Sequence, residues 1–533
     1  MMKLKSTIIL SFLAFVVASC ENRLDIQEHG VTPRENFYKT DSEIEGAVAS
    51  IYVNLRSYTH IAWELKNWLS DDFWCGGGSH WNSSTGYRTC DYTFGSDNAD
   101  FASMFKDLYQ TVYSANVVLE NVRDGSSVGR QAIAEAHVLR AFAYFELTTM
   151  WGTPPLVNHT LKRGEYSQAN TPTDSLWQFI ENDLKTATNS NALPEKKTVD
   201  EINYHATLQF AEALLGKAYL YQKKYAEALP MFDAVINSGK YELYKDYNNL
   251  MTMSADGNSE NVFEINIPYD RNNKDSVTGA DLTWVMFGVQ TRNFDIAHST
   301  TDISSRGWGF FNPTRNLYNA FVTDNGVDGY RLHCTLKTLQ QFRDEDSVTC
   351  SLSPILDHEG IVDYKSRFLN NEMEPNAHWG VQSAKNYRVM RLADVLLMAA
   401  ESALQTGNEN KALEYVNRVR SRAKSPLLTT VSMDDIKKER RLELFGEMVR
   451  WQDLIRWGDA AKVLKDKGRY SPDWNIELIK DSDGNVTGYG EESETLNEIN
   501  GPENCGFKPR HWLLPFPAEE VSVNRNLKQN PGW

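Results

Sequence analysis

After residue 18, the chain contains no uncharged apolar segment of about 20 residues, the length that a transmembrane helix requires. Its N-terminal apolar run is shorter, extending over residues 8–18 with Ser11 inside it. Lys3 and Lys5 precede this run, and a basic start followed by a short apolar core is typical of a secretory signal peptide. The sequence therefore predicts export and no membrane-spanning segment.

Cysteine is scarce, with six residues in a chain of 533. Cys20 directly follows the small residues Ala18 and Ser19 at the end of the apolar run, an arrangement similar to a bacterial lipobox. This predicts a signal peptide over residues 1–19, lipid on the Cys20 thiol and a polar tether over residues 20–37. The alternative is an ordinary secreted protein with a chance cysteine. Because one acyl chain anchors weakly, firm anchoring needs more than one.

No CxxC pair is present, so a zinc ribbon or a thioredoxin-like site has no support. If Cys20 carries lipid, five cysteines remain, and an exported protein can form disulfides. The spacing allows Cys75–Cys90 and Cys334–Cys350 as local bridges with Cys505 left over. Spacing alone does not fix the connectivity.

Basic residues are too few to balance the acidic ones. The chain has 55 Lys and Arg against 71 Asp and Glu, for a formal net charge of −16. Nucleic-acid-binding proteins need a basic surface to neutralise phosphates, so nucleic acid is excluded as an expected partner. With 41% hydrophobic and 24% charged residues, the composition is that of an ordinary globular protein.

Catalytic signatures are also missing, since the chain has no HExxH and no GxSxG. A glycoside hydrolase would need two carboxylates close together across a cleft, and none stands in a recognisable catalytic context, although folding could still bring a pair together. Residues 76–78 are all glycine but lack the Lys-Ser/Thr and the helix of a phosphate loop. The charges within 439–456 recur at i, i+3 and i+4 and favour pairing on a helix surface.

Residues 481–488 have Asp and Asn at the spacing of a calcium loop. They lack the Gly at the sixth position and a clear Glu at the twelfth, so a hairpin turn is favoured. The sequence therefore gives no support for a cofactor or a metal ion.

Helical periodicity dominates what is present. Two stretches, residues 214–236 and 393–423, have small and large apolar residues at the spacing of a tetratricopeptide repeat. The matching positions are Leu215, Gly216, Tyr219, Ala228 and Phe232 in the first stretch, and Ala400, Ala403, Gly407, Ala412 and Val416 in the second. In the first stretch, the small residues are expected to let two helices approach.

Further helices are predicted over 132–152, 175–187 and 434–458, the second with Thr173 or Asp174 as its N-cap. Between the helical parts lie loop-rich stretches, at residues 70–100, 268–312, 324–385 and 466–510. Long structured loops on a rigid helical scaffold are where function tends to lie.

Four motifs together resemble the SusD/RagB family, the surface lipoproteins of nutrient-uptake systems in Bacteroidetes. They are AEAHVLRAFAYFELTTMWGTPPLV from residue 134, KALEYVNRVRSRA from residue 411, IKKERRLELFGEMVRWQDLIRWG from residue 436 and LLPFPAEEVSVNRNLKQNPGW at the end. The resemblance runs nearly end to end. Two departures are Val17 where a lipobox usually has Leu, and Trp533 where Tyr is frequent.

The resemblance implies an all-α fold in a single domain over residues 38–533. It implies four tetratricopeptide-like helix pairs, with an N-terminal part that contains such pairs up to about residue 250 and a loop-rich C-terminal part from about residue 260 to 533. It also implies a lipid-anchored protein on the outer face of the outer membrane that caps a SusC-type TonB-dependent transporter. Such a protein captures oligosaccharides, or peptides in some members, and is not an enzyme. The helix pairs are expected to contact the transporter, and the loops are expected to contact the ligand.

Aromatic side chains in two loops are the candidate ligand contacts, because a sugar ring stacks its apolar C–H face on an aromatic ring while polar neighbours orient its hydroxyls. The first cluster contains Trp74, Trp81, Asn82, Tyr87, Arg88 and Tyr92, and the second contains Trp284, Arg306, Trp308, Phe310 and Phe311. Trp74 and Trp308 could instead pack inward, as Phe311 is expected to do. Glycan is the favoured ligand and peptide the alternative. A purely structural adaptor would need no such loops.

Overall fold

The fold is described from a computed structural model of the chain. The described residues are 38–77, 84–267, 282–289, 293–296, 299–304, 306–374 and 382–533. The predicted signal peptide, Cys20 and the tether up to residue 37 lie outside them, as do Trp81 and Asn82. None of the helices within the described ranges combines the length and the apolar run needed to cross a membrane.

Helices form most of the regular structure in the described ranges. The α-helices are α1 (Asp41–Trp68), α2 (Ser84–Cys90), α3 (Ala99–Asn121), α4 (Ser127–Trp151), α5 (Thr173–Asn189), α6 (Leu208–Tyr221), α7 (Tyr225–Asn237), α8 (Thr283–Phe287), α9 (Arg315–Asn325), α10 (Tyr330–Thr335), α11 (Leu339–Asp346), α12 (Leu392–Gln405), α13 (Glu409–Arg422), α14 (Met433–Glu443), α15 (Arg450–Trp457), α16 (Ala460–Val463) and α17 (Ala518–Val523).

The long helices pack as neighbouring pairs, α1 with α3, α4 with α5, α6 with α7 and α12 with α13. The predicted small-residue contact is present between α6 and α7, because a Cβ at Gly216 would lie 2.7 Å from the ring of buried Phe232. Helix α12 also packs on α7, which joins the C-terminal helices to the N-terminal ones. The tetratricopeptide assignment of these pairs stays a prediction.

Local signals explain where α4 begins and ends. The Ser126 hydroxyl accepts a hydrogen bond from the backbone N–H of Gly129, which caps the N-terminus. Gly152 ends the helix with a φ of +76°, a left-handed conformation that favours glycine. The helix predicted over 132–152 is therefore confirmed, with a start that lies five residues earlier.

Two details of the predicted helices are wrong. Helix α5 already includes Thr173, and its N-cap position is Pro172, which has no capping side chain. The helix predicted over 434–458 is interrupted after Glu443 and resumes as α15. Gly446 and Met448 between the two parts have φ values of +77° and +64°, which a continuous right-handed helix cannot contain.

The fold is not purely helical, which corrects the all-α prediction. The strands of the described residues are β1 (Phe73–Cys75), β2 (Asn261–Ile265), β3 (Phe294–Asp295), β4 (Phe311–Pro313), β5 (Leu336–Thr338), β6 (Thr349–Cys350), β7 (Ile355–Leu356), β8 (Ile361–Asp363), β9 (Met373–Glu374), β10 (Gln382–Ser383), β11 (Tyr387–Arg391), β12 (Tyr470–Lys480) and β13 (Val486–Glu498). They form small antiparallel sheets with the pairs β1–β4, β2–β11, β3–β6, β5–β8 and β9–β10 and the order β13–β12–β7.

The region 466–510, predicted as loop-rich, contains the long hairpin β12–β13. Its turn confirms the predicted hairpin: Asp481 Oδ1 accepts from the backbone N–H groups of Asp483 and Asn485, each at 2.9 Å. The inner face of β12 packs Trp474, Ile476 and Leu478 on a second, smaller hydrophobic core. The loop-rich part of the chain therefore has a core of its own beside the main helical core.

A buried cluster of ion pairs joins distant parts of the chain. Arg391 at the end of β11 donates to Glu447 at 2.7 Å and to Glu260, and it lies 3.3 Å from Glu443. Glu443 also accepts from Arg422 of α13. All five side chains are largely buried. Within 439–456, the predicted i,i+3 pair between Asp453 and Arg456 does form, but it is buried too, so the predicted surface location is wrong. These charges connect separate elements in the interior.

All five cysteines of the described residues are buried free thiols, so neither of the two bridges that the spacing allows is formed in this structure. Cys334 packs with Tyr247 and Leu250, whereas Cys350 belongs to the second hydrophobic core, so these two lie in different clusters. Burial raises the pKa of Cys90 to about 11.

Candidate ligand-binding surface

Strands β1 and β4 bring the two predicted aromatic loops together. They pair antiparallel, with Trp74 opposite Asn312 and Cys75 opposite Phe311. The pairing continues past the strands, because the N–H of Gly77 donates to the carbonyl of Gly309 at 2.7 Å. Two clusters more than two hundred residues apart in the chain thus form one surface.

Side chains alternate between the two faces of this strand pair. Phe73 and Phe311 point inward, and the Phe311 ring is stacked on Phe287 with centroids 3.9 Å apart. The inward packing predicted for Phe311 is confirmed. Trp74 and Asn312 occupy the opposite face and are half-buried. The Asn312 amide donates to the Asp357 carbonyl at 2.9 Å, which fixes this side chain beside Trp74.

The glycines after β1 allow this close approach. A Cβ on Gly76 would lie 2.1 Å from the Gly309 carbonyl oxygen, and one on Gly77 would lie 2.3 Å from the Phe310 ring. Gly77 also has a φ of +92°. The sequence does not support these glycines as a phosphate loop. Their role in the structure is to let the second aromatic loop pack closely on the first.

Trp308 lies in the segment that joins this surface to α8. Its backbone N–H donates to the Val285 carbonyl at 2.8 Å, and its ring meets Phe310 edge-on with centroids 6.4 Å apart. Both rings are half-buried, with part of each packed on the main core. Arg306, two residues earlier, is exposed. Trp308 therefore combines partial core packing with a partly accessible ring.

Two of the predicted ligand contacts, Trp284 and Tyr87, have buried side chains. Trp284 has 0% exposure, donates its indole N–H to the Lys385 carbonyl at 2.9 Å and is stacked on Tyr387. Tyr87 is 6% exposed and donates its hydroxyl to the Asp357 carboxylate. Tyr92, also in the first cluster, is buried. These rings hold the loops together and offer no open face to a ligand.

Arg88, by contrast, is accessible. Its guanidinium forms an ion pair with Asp97 at 3.0 Å, and its side chain is 42% exposed. It follows Tyr87 on α2, so the tyrosine anchors this helix while the arginine faces outward.

Trp474 of the β12–β13 hairpin extends the surface and was missed in the sequence, where it stands alone rather than in an aromatic cluster. The Arg315 guanidinium lies 4.8 Å from its ring centroid, a cation–π contact, and its indole N–H donates to Glu492 at 2.9 Å. A Cβ on Gly360 would lie 2.5 Å from the ring. Glycine at 360 therefore lets the hairpin settle on the loop before β8.

Glu359 connects Trp74 with Trp474. It accepts a hydrogen bond from the backbone N–H of Arg315, the residue whose guanidinium covers Trp474. Burial raises the pKa of Glu359, and that hydrogen bond and the neighbouring Trp74 indole oppose the rise. We call Trp74, Trp308, Asn312, Arg315, Glu359 and Trp474 the aromatic surface.

Among the residues that the structure describes, little enclosed space lies behind the aromatic surface. The cavity behind β4, lined by Phe287, Asn312 and His358 among others, has a volume of about 20 Å³, close to the space of one water molecule. No group of three or more His, Cys, Asp or Glu side chains within the described ranges could hold a metal ion. The arrangement is suited to stacking and hydrogen bonding.

Two family models match the chain, one at each end. The model described as the SusD family matches residues 360–533. The model described as starch-binding associating with outer membrane matches residues 31–220. The first range includes Trp474, and the second includes Trp74.

Similar proteins cover almost the whole chain. A SusD-like protein of Bacteroides ovatus is 26% identical over 99% of this chain and 98% of its own length. The structure of a laminarin-binding SusD-like protein matches with a TM-score of 0.76 and 25% identity, covering 93% of this chain and 100% of that one. Surface glycan-binding protein A from Bacteroides thetaiotaomicron, in complex with laminarihexaose, matches with a TM-score of 0.70 and 22% identity over 92% and 99% of the two chains. The helical scaffold with its small sheets is therefore a SusD-like fold.

Proposed function

The chain belongs to the SusD family, and from that membership we propose that it binds glycans at the cell surface and delivers them to a SusC-like TonB-dependent transporter. One structural relative is described as laminarin-binding and another as a complex with laminarihexaose. One matching family model is described as starch-binding. The proposed role is capture by binding, without catalysis.

The observation that carries the proposal is the joining of the two aromatic loops by β1 and β4. It places half-buried Trp74 and Trp308 on one connected surface with Asn312 and Arg315. Aromatic rings provide apolar faces for pyranose C–H groups, and amide and guanidinium groups hydrogen-bond to sugar hydroxyls. Repeated weak contacts of this kind favour capture followed by release.

The proposed contact residues follow from their exposure. Trp74, Arg88, Arg306 and Trp308 are retained from the sequence prediction, and Trp474 is added. Trp81 and Asn82 remain proposals that lie outside the described residues. Trp284 and Tyr87 are assigned to the support of the surface instead.

The proposed location is the outer membrane, facing the cell exterior, with a lipid anchor on Cys20. The description of one family model as associating with outer membrane supports this location. A Cys20→Ala variant is expected to leave the membrane fraction and appear in the soluble or secreted fraction. Unchanged membrane fractionation of that variant would contradict the anchor.

The experiment that tests glycan binding is calorimetry on the chain that begins after Cys20, with laminarin, laminarihexaose, starch and a wider glycan panel. Trp74→Ala, Trp308→Ala and Trp474→Ala should each weaken binding by about tenfold, since loss of one stacking ring removes on the order of 1.5 kcal/mol. Trp177→Ala is the matched control, because Trp177 is a half-buried tryptophan on α5. It should bind as the wild type does.

A peptide-binding member of the same family is the alternative. Peptide mixtures are therefore titrated beside the glycans. Binding of peptides with no response to any glycan would overturn the glycan proposal, and hydrolysis of a glycan during the titration would overturn the non-catalytic role.

A further inference from the structure

Asp357 lies directly after β7, where three segments that carry proposed glycan contacts meet. Its side chain is buried, and its backbone has a φ of +52°, a left-handed conformation that aspartate adopts more readily than most residues. Strand β7 pairs with β12, and Ile355 stands opposite Trp474 in that pair. Asp357 is therefore held beside the strand that carries Trp474.

The carboxylate of Asp357 receives hydroxyl groups from two of these segments. One oxygen accepts from Tyr87 of α2, and the other accepts from Ser471 of β12. Both donors are buried. Tyr87 directly precedes the accessible Arg88, and Ser471 lies in the same strand as Trp474. A single carboxylate thus connects the helix that carries one proposed contact to the strand that carries another.

The backbone of Asp357 reaches the third segment. Its carbonyl accepts from the Asn312 amide of β4 at 2.9 Å, and Asn312 stands opposite Trp74 in the β1–β4 pair. The next residue, His358, donates its backbone N–H to the Pro472 carbonyl at 2.8 Å. The same short segment therefore contacts β4 and β12 through the main chain.

These contacts couple the positions of three elements that are distant in the sequence. Hydrogen bonds to a charged acceptor are stronger than those between neutral groups, and breaking one in the interior leaves a polar group unsatisfied at a cost. A displacement of α2, β4 or β12 must therefore break a bond to Asp357 or move the other two elements. The spacing of Trp74, Arg88 and Trp474 is fixed in common by this one residue.

We propose that Asp357 is a positioning residue for glycan capture, which holds the contacts on these elements at the spacing of a glycan chain that reaches more than one of them. Because its side chain is buried, it acts through these elements and not by touching the ligand. This inference rests on the proposed function, since it assigns a role within the same site. A chain that meets two contacts gains affinity because the second contact is intramolecular, and a fixed spacing raises its effective concentration. A short glycan that meets one contact gains nothing from the spacing.

Asp357→Asn tests this role by calorimetry on the chain that begins after Cys20. Asparagine keeps the shape and tolerates a positive φ, but its amide group replaces one accepting oxygen by a donor. The affinity for laminarihexaose should fall about tenfold, and that for laminaribiose by less than about twofold. If the wild type prefers another glycan of the panel, the hexasaccharide and disaccharide of that glycan take their place. Equal losses for the long and the short glycan, or no loss for either, would overturn the proposal.

Asp233→Asn is the matched control. Asp233 of α7 also accepts a tyrosine hydroxyl, from Tyr415 of α13 at 2.6 Å, and it pairs with Lys411. It joins two scaffold helices and none of the segments that meet at Asp357. The variant should leave the ratio of the two affinities unchanged, and thermal unfolding of both variants checks that they are folded during the titration. A similar change of the ratio in the control would contradict the specific role of Asp357.

The two hydroxyl partners provide a double-mutant cycle. Tyr87→Phe and Ser471→Ala each remove one hydroxyl and keep most of the side chain's packing. Groups that act through one shared carboxylate have non-additive effects, so the double variant should bind laminarihexaose about as weakly as the weaker single variant. Additive losses would mean that the hydroxyls act independently and would overturn the coupling through Asp357.

Amide hydrogen exchange tests the coupling without a glycan. In Asp357→Asn, exchange should become faster in α2, β4 and β12 together, because all three lose a common restraint. Faster exchange confined to residues 355–360 would overturn the coupling. Failure of the wild type to bind any glycan would refute the proposed function itself, whereas binding with equal losses for long and short glycans would refute only the positioning role.

Discussion

Arg450 clamps both carboxylate oxygens of Asp71, with Nε 2.7 Å from Oδ1 and Nη2 3.0 Å from Oδ2. Asp71 comes just before β1, and Arg441 of α14 lies 3.1 Å from the same carboxylate. Bidentate arginine–carboxylate pairs are strong and directional. The clamp therefore fixes the base of β1, and with it Trp74, against the C-terminal helices.

Breaking this clamp is expected to destabilise the protein. Asp71→Asn leaves the largely buried guanidinium group of Arg450 without its carboxylate, while Arg441 keeps its ion pair with Asp72, and should lower the free energy of unfolding by about 3 kcal/mol. Urea denaturation measures the change. Asp97→Asn is the control, because the Arg88–Asp97 pair is largely exposed and should contribute little. Equal effects of the two substitutions would contradict the structural role of Asp71.

Gly77→Ala should disturb the aromatic surface. The new Cβ would clash with the Phe310 ring and occupy a positive-φ position, at a cost of about 2 kcal/mol in local strain. Gly164→Ala is the matched control, because Gly164 has a similar φ of +98° and nothing within 4 Å of its Cβ position. We expect calorimetry to show weaker glycan binding for Gly77→Ala only. Equal binding by the two variants would contradict the seating of Phe310 on Gly77.

Substitution of Trp284 and of Trp308, the two tryptophans of the second cluster, should have different effects on stability and on glycan binding. Trp284→Ala removes a fully buried ring and should lower the free energy of unfolding by about 3–5 kcal/mol. Trp308→Ala removes a half-buried ring and should have the smaller effect on stability but the larger effect on glycan affinity of the folded protein. Chemical denaturation and calorimetry on both variants check this. A stable Trp284→Ala variant with abolished binding would reverse the assignment.

The stability of the buried ion-pair cluster should depend on pH. Burial by itself would raise the pKa of Glu447, but the charges of Arg391 and Lys365 outweigh it and lower the pKa to about 2. A carboxyl group with a lowered pKa stabilises the folded state above its unfolded pKa, and that contribution is lost as the pH falls through the folded value. The gap in free energy of unfolding between the wild type and Glu447→Gln should stay constant above about pH 5 and shrink toward pH 2. A pH-independent gap would contradict this.

The cysteines should behave as inaccessible thiols. Burial raises the pKa of Cys334 and Cys350 to about 11, and the thiolate is the reactive form. On the chain that begins after Cys20, a thiol-specific chromogenic reagent should react slowly in the native state. It should report all five thiols in denaturant. A lower count without reductant would indicate a disulfide.

The helical scaffold could be predicted well because its signals are local. The apolar spacing and Gly152 define α4, and Gly216 opposite Phe232 is visible as a repeat pattern. The interruption between α14 and α15 was missed, since the sequence 444–449 has no proline and its bend depends on positive φ at Gly446 and Met448. The ion pairs that surround this bend come from distant elements, which local spacing does not show.

The aromatic surface could be predicted only as a region. Trp74 and Trp284 both lie in aromatic loops, yet one is half-buried on the strand pair and the other has 0% exposure. Their difference follows from the alternation of faces along β1 and from the packing of α8 on Tyr387. Trp474 reaches the surface through the long hairpin, a contact between distant segments that the sequence pattern does not contain.

The antiparallel register of β1 and β4 gives a fixed base to the two aromatic loops that extend from these strands. Backbone hydrogen bonds and the glycines at 76 and 77 hold the two strands together, and a slip of one residue would turn Trp74 inward and Phe73 outward. Side chains in the loops beyond these strands can change without altering the strand pair. A new ligand specificity could therefore be introduced by exchanging the loop tips, while β1, β4 and the helices beneath them stay unchanged.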